Sequence, residues 1–307
     1  MSFSSSEYSN SSSWPYLRIR YQLGIGELNW YKMETQKLTD RMHLHQNVST
    51  GNLVVHEDLL DIKGTGLDEV FELYYNNLAP DSWDLGRSWI ANTGWDVWLE
   101  PNVDGVIYFG PGGYAFHFMA NGDGSYTSPP GVDATLAHNA DGTWSLTFHQ
   151  SGECYNFSSS GAYLLSDVDK NGNTISFAYD PNGALSSITD TQGRVTTFSY
   201  TSGGSSTCGP PTASGFVSAI TDPAGRKWQF AYDSNCDLTS ITDPAGKVTN
   251  FGYDSNTELV QITDPDGNIT KLGYDPNYRI TSLTGSPTPP RELVSPPTSR
   301  TTVTTPW

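Results

Sequence analysis

The residues of this sequence best suited to hold a transition metal are three neighbouring histidines, His43, His45 and His56. His43 and His45 are two apart, so on a strand both imidazoles point to one face, and imidazole nitrogen suits zinc, copper and iron. No HExxH-type motif supplies further ligands, and packed or solvated histidines are the commoner outcome. A second candidate is Asp167-Val168-Asp169-Lys170-Asn171-Gly172, which matches the front of a calcium loop with Asp167, Asp169 and Asn171 as ligands. Position twelve of that loop would be Ala178 instead of a bidentate glutamate, and Asn171-Gly172 is also the residue pair of a type I′ hairpin turn. The expectation is therefore a turn and no cofactor, with calcium as the alternative.

Trp83, Trp89, Trp95 and Trp98 are dense and non-periodic, which makes them the better candidates for rings that stack on a ligand such as a glycan, although packing as a plug against the first hairpins is the favoured reading. Nucleophile chemistry finds no Gly-x-Ser-x-Gly elbow and no cysteine with a matching histidine and asparagine. Carboxylates are plentiful but sit in repeated turns, where aspartate caps the backbone, so no enzymatic activity is expected. Of three cysteines, Cys154, Cys208 and Cys236, the last two fall at one edge of adjacent hairpins. A disulfide between them would pin an inserted loop and imply an oxidising compartment; two free thiols are the alternative. Asn10, Asn47, Asn156 and Asn268 begin Asn-x-Ser/Thr sequons.

The elements that must position these residues show in composition and period. The chain has 307 residues, 16 Lys+Arg against 33 Asp+Glu, and 30 Gly, 19 Pro, 17 Tyr and 9 Trp. A net charge of −17 opposes an electrostatic grip on nucleic acid or anionic lipid. No apolar run is long enough to span a membrane, and Met1–Ser6 lacks a basic then apolar leader pattern.

An internal repeat sets the architecture. Tyrosines 179, 200, 232, 253 and 274 stand at spacings of 21, 32, 21 and 21, each after an aromatic or leucine two residues earlier. A second column carries Ile-Thr-Asp, with Asp190, Asp222, Asp243 and Asp264 each three residues before a glycine. Both columns end in Asx, Pro and Gly turn chemistry, and about six alternating residues between turns make a strand. One repeat is thus one hairpin, and successive hairpins extend one antiparallel sheet, the tyrosines forming a cross-strand ladder. Leu185 and Ile188, like Leu238 and Ile241, are three apart, which calls for either a bulge or a sheet with apolar groups on both faces. Further hairpins are expected from 92 to 165, whereas residues 27–43 fit a helical face only partly.

The recurring Phe-x-Tyr-Asp-x-x-x-x-Leu-x-x-Ile-Thr-Asp-Pro-x-Gly is similar to the YD repeat of Rhs, wall-associated and teneurin-type proteins. Asn47-Val48-Ser49-Thr50-Gly51-Asn52-Leu53, Leu73-Tyr74-Tyr75-Asn76 and Leu85-Gly86-Arg87-Ser88-Trp89 resemble the segment that opens Rhs cores. The resemblance covers residues 46–285. It implies an all-β, twisted antiparallel meander of hairpins forming part of a spiral shell, with an N-terminal plug. In full-length members such a shell encloses a C-terminal polypeptide, often a toxin. About five repeats are too few to close a large shell, and the self-cleaving core of those members is not matched, so Asp222, Asp243 and Asp264 are repeat turns.

The expected organisation is a Ser-rich disordered start and N-terminal segment over 1–45, a plug with irregular hairpins over 46–165, YD repeats over 166–285 and a Pro/Thr-rich disordered tail over 286–307. The expected function is a non-enzymatic, secreted or surface-associated shell or scaffold segment that encloses or presents another polypeptide. The alternatives are a module binding carbohydrate at cell surfaces and a structural protein that self-assembles through open sheet edges. Partners are accordingly a polypeptide cargo, further copies or surface glycans, without nucleic acid or membrane insertion.

Overall fold

Aspartate at the head of each repeat turn sets the geometry of the sheet. In the computed structural model, which describes residues 25–28, 30–79, 84–201, 214–285 and the backbone of 291–292, the Oδ1 of Asp222 accepts from the amides of Ala224 and Arg226. Gly225 then donates to the Asp222 carbonyl at φ +79°, in the left-handed region open to glycine. The same two-amide cap recurs at Asp190, Asp243 and Asp264 and, on the opposite edge of the sheet, at Asp180, Asp233, Asp254 and Asp275. The same Asx turn thus recurs on both edges of the repeat sheet.

These turns link a fifteen-stranded antiparallel sheet in strict sequence order. It opens with β10 (Ala134–His138), β11 (Trp144–Phe148), β12 (Cys154–Phe157), β13 (Leu164–Val168) and β14 (Thr174–Tyr179). It continues through β15 (Leu185–Thr189), β16 (Val195–Tyr200), β17 (Val217–Thr221), β18 (Lys227–Tyr232) and β19 (Leu238–Thr242). It ends with β20 (Val248–Tyr253), β21 (Leu259–Thr263), β22 (Ile269–Tyr274), β23 (Ile280–Gly285) and β24 (Arg291–Glu292). Upstream, a five-stranded sheet holds β1 (Met33–Lys37), β2 (Met42–Asn47), β3 (Leu53–Ile62), β4 (Glu69–Asn76) and β5 (Trp89–Ala91). A four-stranded sheet follows, with β6 (Trp98–Asn102), β7 (Gly105–Phe109), β8 (Ala115–Ala120) and β9 (Tyr126–Thr127). The only helical turns among the described residues are short 3-10 segments, Gly94–Asp96 and Pro111–Gly113.

The bulge, and not a two-faced sheet, resolves the spacing of the return strands. Tyr179 pairs with Leu185 and Ala178 with Ser187, so Ser186 is left over, and Leu185 and Ile188 both turn inward, at 0% and 1% exposed. The same shift recurs at the four later tyrosine–return strand pairs. The hydroxyls of Ser186, Thr239 and Thr281 at the bulge donate to the carbonyls of Ala178, Ala231 and Gly273, which steadies the extra residue.

The apolar faces of all three sheets join in one core running from Met42 to Leu283. Phe71 of β4 packs on Phe198, Trp89 of β5 on Phe251, and Trp95 on Phe198, with ring centroids 5.4, 4.9 and 5.8 Å apart. The N-terminal sheet thus lies on the aromatic face of the repeats, as a plug does. Its strands cross the expected boundary at residue 45, because β2 runs from Met42 to Asn47 and pairs with β1. Residues 33–37, on which a helical face was only partly legible, are a strand. The long sheet likewise begins at Ala134, ahead of the repeat segment.

The Asn-Val-Ser-Thr-Gly-Asn-Leu and Leu-Tyr-Tyr-Asn segments meet in a buried amide network. Asn52 Nδ2 donates to Asn76 Oδ1 (2.9 Å), Asn76 Nδ2 to the Gly112 carbonyl (2.9 Å), and the Leu53 amide to Asn77 Oδ1 (2.6 Å). Asn77 Nδ2 and the Gly51 carbonyl reach the last repeat, at the Tyr278 carbonyl and the Ile280 amide. Gly51 stands at φ +76°, with Arg279 where a Cβ would lie, so a side chain there would clash as well as strain the backbone.

Candidate functional site

The repeat tyrosines use ring and hydroxyl separately. Their rings pack against the core, while each hydroxyl donates to a carbonyl fifteen residues earlier, just before a bulge: Tyr179 to Leu164, Tyr200 to Leu185, Tyr232 to Val217, Tyr253 to Leu238 and Tyr274 to Leu259, at 2.7–2.9 Å. These bonds tie each hairpin to the preceding one. Asp222 adds an ion pair to its turn, 2.6 Å from Arg226 Nε, whereas Asp243 and Asp264 serve as backbone caps.

Trp89, Trp95 and Trp98, the described members of the tryptophan group, do not form a common surface. Trp89 is fully buried and donates its indole N–H to the Tyr253 hydroxyl (2.9 Å), so its ring is core and not a ligand platform. Trp95 is half-buried between Phe71 and Phe198, and Trp98 stacks on Phe109 at 4.2 Å with planes 5° apart. Trp83 lies outside the described residues, as do Asn10, the N-terminal Ser-rich stretch and most of the Pro/Thr-rich end. Of the cysteines, Cys154 is a free thiol and Cys236 is disulfide-bonded; Cys208, its expected partner, lies outside the described residues.

Asp169 and Asn171 make a turn. Asp169 Oδ1 accepts from the amides of Asn171 and Asn173, and Oδ2 from Asn173 Nδ2. Asp167 lies back in β13, where burial and the neighbouring carboxylate of Glu153 push its acid up to about 8. The three residues thus do different work. Of the sequons, Asn47 is buried with its Oδ1 capping Ser49 and Thr50, while Asn268 is exposed.

The histidines do converge. Register sets His43 opposite His56 and His45 opposite Val54, which puts the three imidazoles on one face with centroids 6.1–6.4 Å apart. Three residues that periodicity did not single out complete the cluster. Glu27 approaches from the N-terminal segment, its Oε1 3.3 Å from His45 Nε2 and its Oε2 3.9 Å from His56 Nδ1. On the other side of the same ring, His56 Nε2 lies 3.2 Å from Asp58 Oδ1 and 3.6 Å from Glu72 Oε2. Tyr74 stacks on His56 at 4.3 Å and donates its hydroxyl to Glu72 (2.7 Å). His43 flanks the group, and among the described residues the carboxylates stand against His45 and His56.

Electrostatics separate the two central rings. Burial, then His56 and His43, pull His45 down to about 4, so it is neutral at physiological pH. Burial also works to lower His56, but Glu72, Glu27 and Asp58 outweigh it and hold that imidazole above its ordinary value. Burial raises the Glu27 acid.

A groove open to solvent separates the β1–β2 turn from the repeat turns, bordered by Lys37, Arg41, Glu57, Trp228, Asp243 and Lys247. No helix among the described residues is long and apolar enough to cross a membrane.

Comparison with known proteins places the repeats. The RHS Repeat family matches residues 179–204, 212–248, 237–269 and 253–286. Over 139 residues the chain is 30% identical to the tRNA nuclease WapA of Bacillus subtilis strain 168 and 31% identical to a tRNA3(Ser)-specific nuclease WapA of Bacillus spizizenii. Each match takes in 45% of this chain and about 6% of the relative's length. Among solved structures, the Photorhabdus luminescens Tc holotoxin pore aligns with 79% of this chain and 14% of its own at 12% identity and a TM-score of 0.34. A TcdB2–TccC3 complex without its hypervariable C-terminal region aligns with 83% and 17% at 10% identity and a TM-score of 0.30. Residues 179–204 and 212–286, whose described strands form an antiparallel meander of hairpins, match the RHS Repeat family, and in this part the chain is an Rhs-type repeat array.

Proposed function

We propose that the chain is a non-enzymatic scaffold segment, secreted or surface-associated, that encloses or presents another polypeptide. The observation that carries this reading is the way the sheet is filled. The chain's own N-terminal sheet covers the aromatic face of the repeats, and among the described residues the terminal strands β10 and β24 each pair on one side only and the groove beside Trp228 is open, places where a partner could add. Backbone groups at a terminal strand can pair with an added strand, and each further hairpin could extend the meander. The disulfide-bonded state of Cys236 supports an oxidising compartment.

The WapA relatives are named as tRNA nucleases, and the match takes in about 6% of their length, which suits a scaffold to which activity is attached elsewhere. Two measurements test the reading together. Purified chain incubated with total tRNA should leave it intact, and light scattering should show a steady monomer mass from micromolar to hundreds of micromolar. Cleavage by the chain alone would refute the non-enzymatic role. A mass that grows with concentration would replace partner presentation with self-assembly through the sheet edges.

A further inference from the structure

We propose that Glu27, His45 and His56 form a binding site for one first-row divalent cation of the zinc class, clipping the N-terminal segment onto the five-stranded sheet. Their donor atoms already lie within 4.8 Å of one another. Two imidazole nitrogens and a carboxylate oxygen are a mixed N/O set that suits zinc and its neighbours, and not calcium or magnesium, which take oxygen ligands.

The geometry around the three donors is that of supported ligands. His45 Nδ1 is held by the Thr35 hydroxyl at 2.9 Å, which leaves Nε2 facing Glu27. That Nε2 and Glu27 Oε1 are both shielded from solvent and make no hydrogen bond of good geometry with each other or with another group. On His56, Nδ1 faces Glu27 while Nε2 faces Asp58 and Glu72, with Glu72 held in turn by Tyr74. A carboxylate behind a ligating histidine fixes its tautomer and raises its basicity, a common arrangement at protein-bound zinc.

The three donors come from two strands and a separate segment, so the cation acts as a cross-link. Glu27 is otherwise anchored by its neighbour Gly26, whose amide donates to Asn76 Oδ1 at 2.7 Å. A cation at Glu27 would fix the other side of that segment on β2 and β3. Three protein ligands leave a fourth position for water, as in open zinc sites.

The test uses the whole chain, freed of metal with a chelator and then titrated calorimetrically with zinc chloride. The expected result is one equivalent of zinc bound, with Glu27→Gln and His45→Gln each weakening affinity at least about tenfold and His43→Gln leaving it within about twofold. Cobalt(II) titrated in place of zinc should give visible ligand-field absorption that Glu27→Gln reduces. Should His45→Gln fail to fold by circular dichroism, Glu27→Gln decides the matter, since that residue lies on a short segment outside the sheet. No binding of either cation at tens of micromolar, or equal binding by wild type and Glu27→Gln, would overturn the proposal and leave an ion-pair network.

Discussion

Replacing Tyr253 with phenylalanine should cost distinctly more stability than the same change at Tyr200, although both belong to one ladder and lose the same oxygen. The Tyr200 hydroxyl has one partner, the Leu185 carbonyl at 2.8 Å. The Tyr253 hydroxyl has two, donating to the Leu238 carbonyl at 2.8 Å and accepting from the Trp89 indole at 2.9 Å. Leu238 and Trp89 are both fully buried, so water cannot replace the lost oxygen. A buried polar group left without a partner costs about 1–3 kcal/mol. Tyr200→Phe orphans one group, for about 1–2 kcal/mol, and Tyr253→Phe orphans two, for about 2–4 kcal/mol. Urea unfolding of both variants and wild type reads the difference, with the slope m checked for constancy so that the midpoint shift reports stability. A cycle with Trp89→Phe should return a coupling of about 1–2 kcal/mol between plug and ladder. Equal costs at the two tyrosines, or a coupling near zero, would refute the claim that Tyr253 joins the N-terminal sheet to the repeats.

Three further outcomes follow from individual residues. Thr257 fills the turn position that is glycine at 183, 193, 225, 246 and 267, at φ +66°, a conformation costly for a β-branched residue. Relief of that strain exceeds the entropy added to the unfolded chain, so Thr257→Gly should stabilise by about 1 kcal/mol in the same urea assay, and destabilisation would contradict the strain. Burial first, with help from Asp190 and Asp222 and against the pull of Thr196 and Arg194, pushes the acid of Glu69 up to about 7. A folded pKa raised from 4.5 means stability that is fully present below pH 4.5 and lost as pH rises toward 7. Glu69→Gln should remove that decline, so that between pH 4.5 and 8 wild type loses on the order of 2 kcal/mol relative to the variant; parallel profiles would contradict it. Alkylation of the denatured chain should modify one cysteine without reductant and three with it, and three in both conditions would rule out the disulfide.

Much of the fold is legible because it is written in local chemistry. Asp-Pro-x-Gly marks a turn on its own residues, and Trp228-Gln229-Phe230-Ala231-Tyr232 alternates as a strand buried on one face, with Trp228 and Phe230 inside. The bulge at Ser186 is less legible, because a three-residue spacing fits two arrangements and only pairing to β14 decides between them. Met33–Lys37 is harder still, since its strand state comes from pairing with β2 and not from its own pattern.

The histidine cluster shows the same limit. The alternation of His43 and His45 reveals a shared face, and Asp58 alternates with His56 on β3, but Glu27 and Glu72 reach it from other elements and nothing in their spacing announces it. Trp89 is open to two readings. A run dense in tryptophan fits a ligand platform or a packed plug, and the register of β5 against β4 turns this ring into the core, where it meets Phe251.

The plug and the repeats pack as one cooperative unit, with the aromatic face of the repeats sealed from within. Native-state hydrogen exchange, resolved by peptide and followed with added urea, measures this directly. Amides of β3 and β4 and those of β18 to β21 should share the highest protection and lose it together at one opening free energy. Loss of protection in β3 and β4 well below that of the repeat strands would contradict it, because the N-terminal sheet would then be a separate body that leaves the aromatic face open.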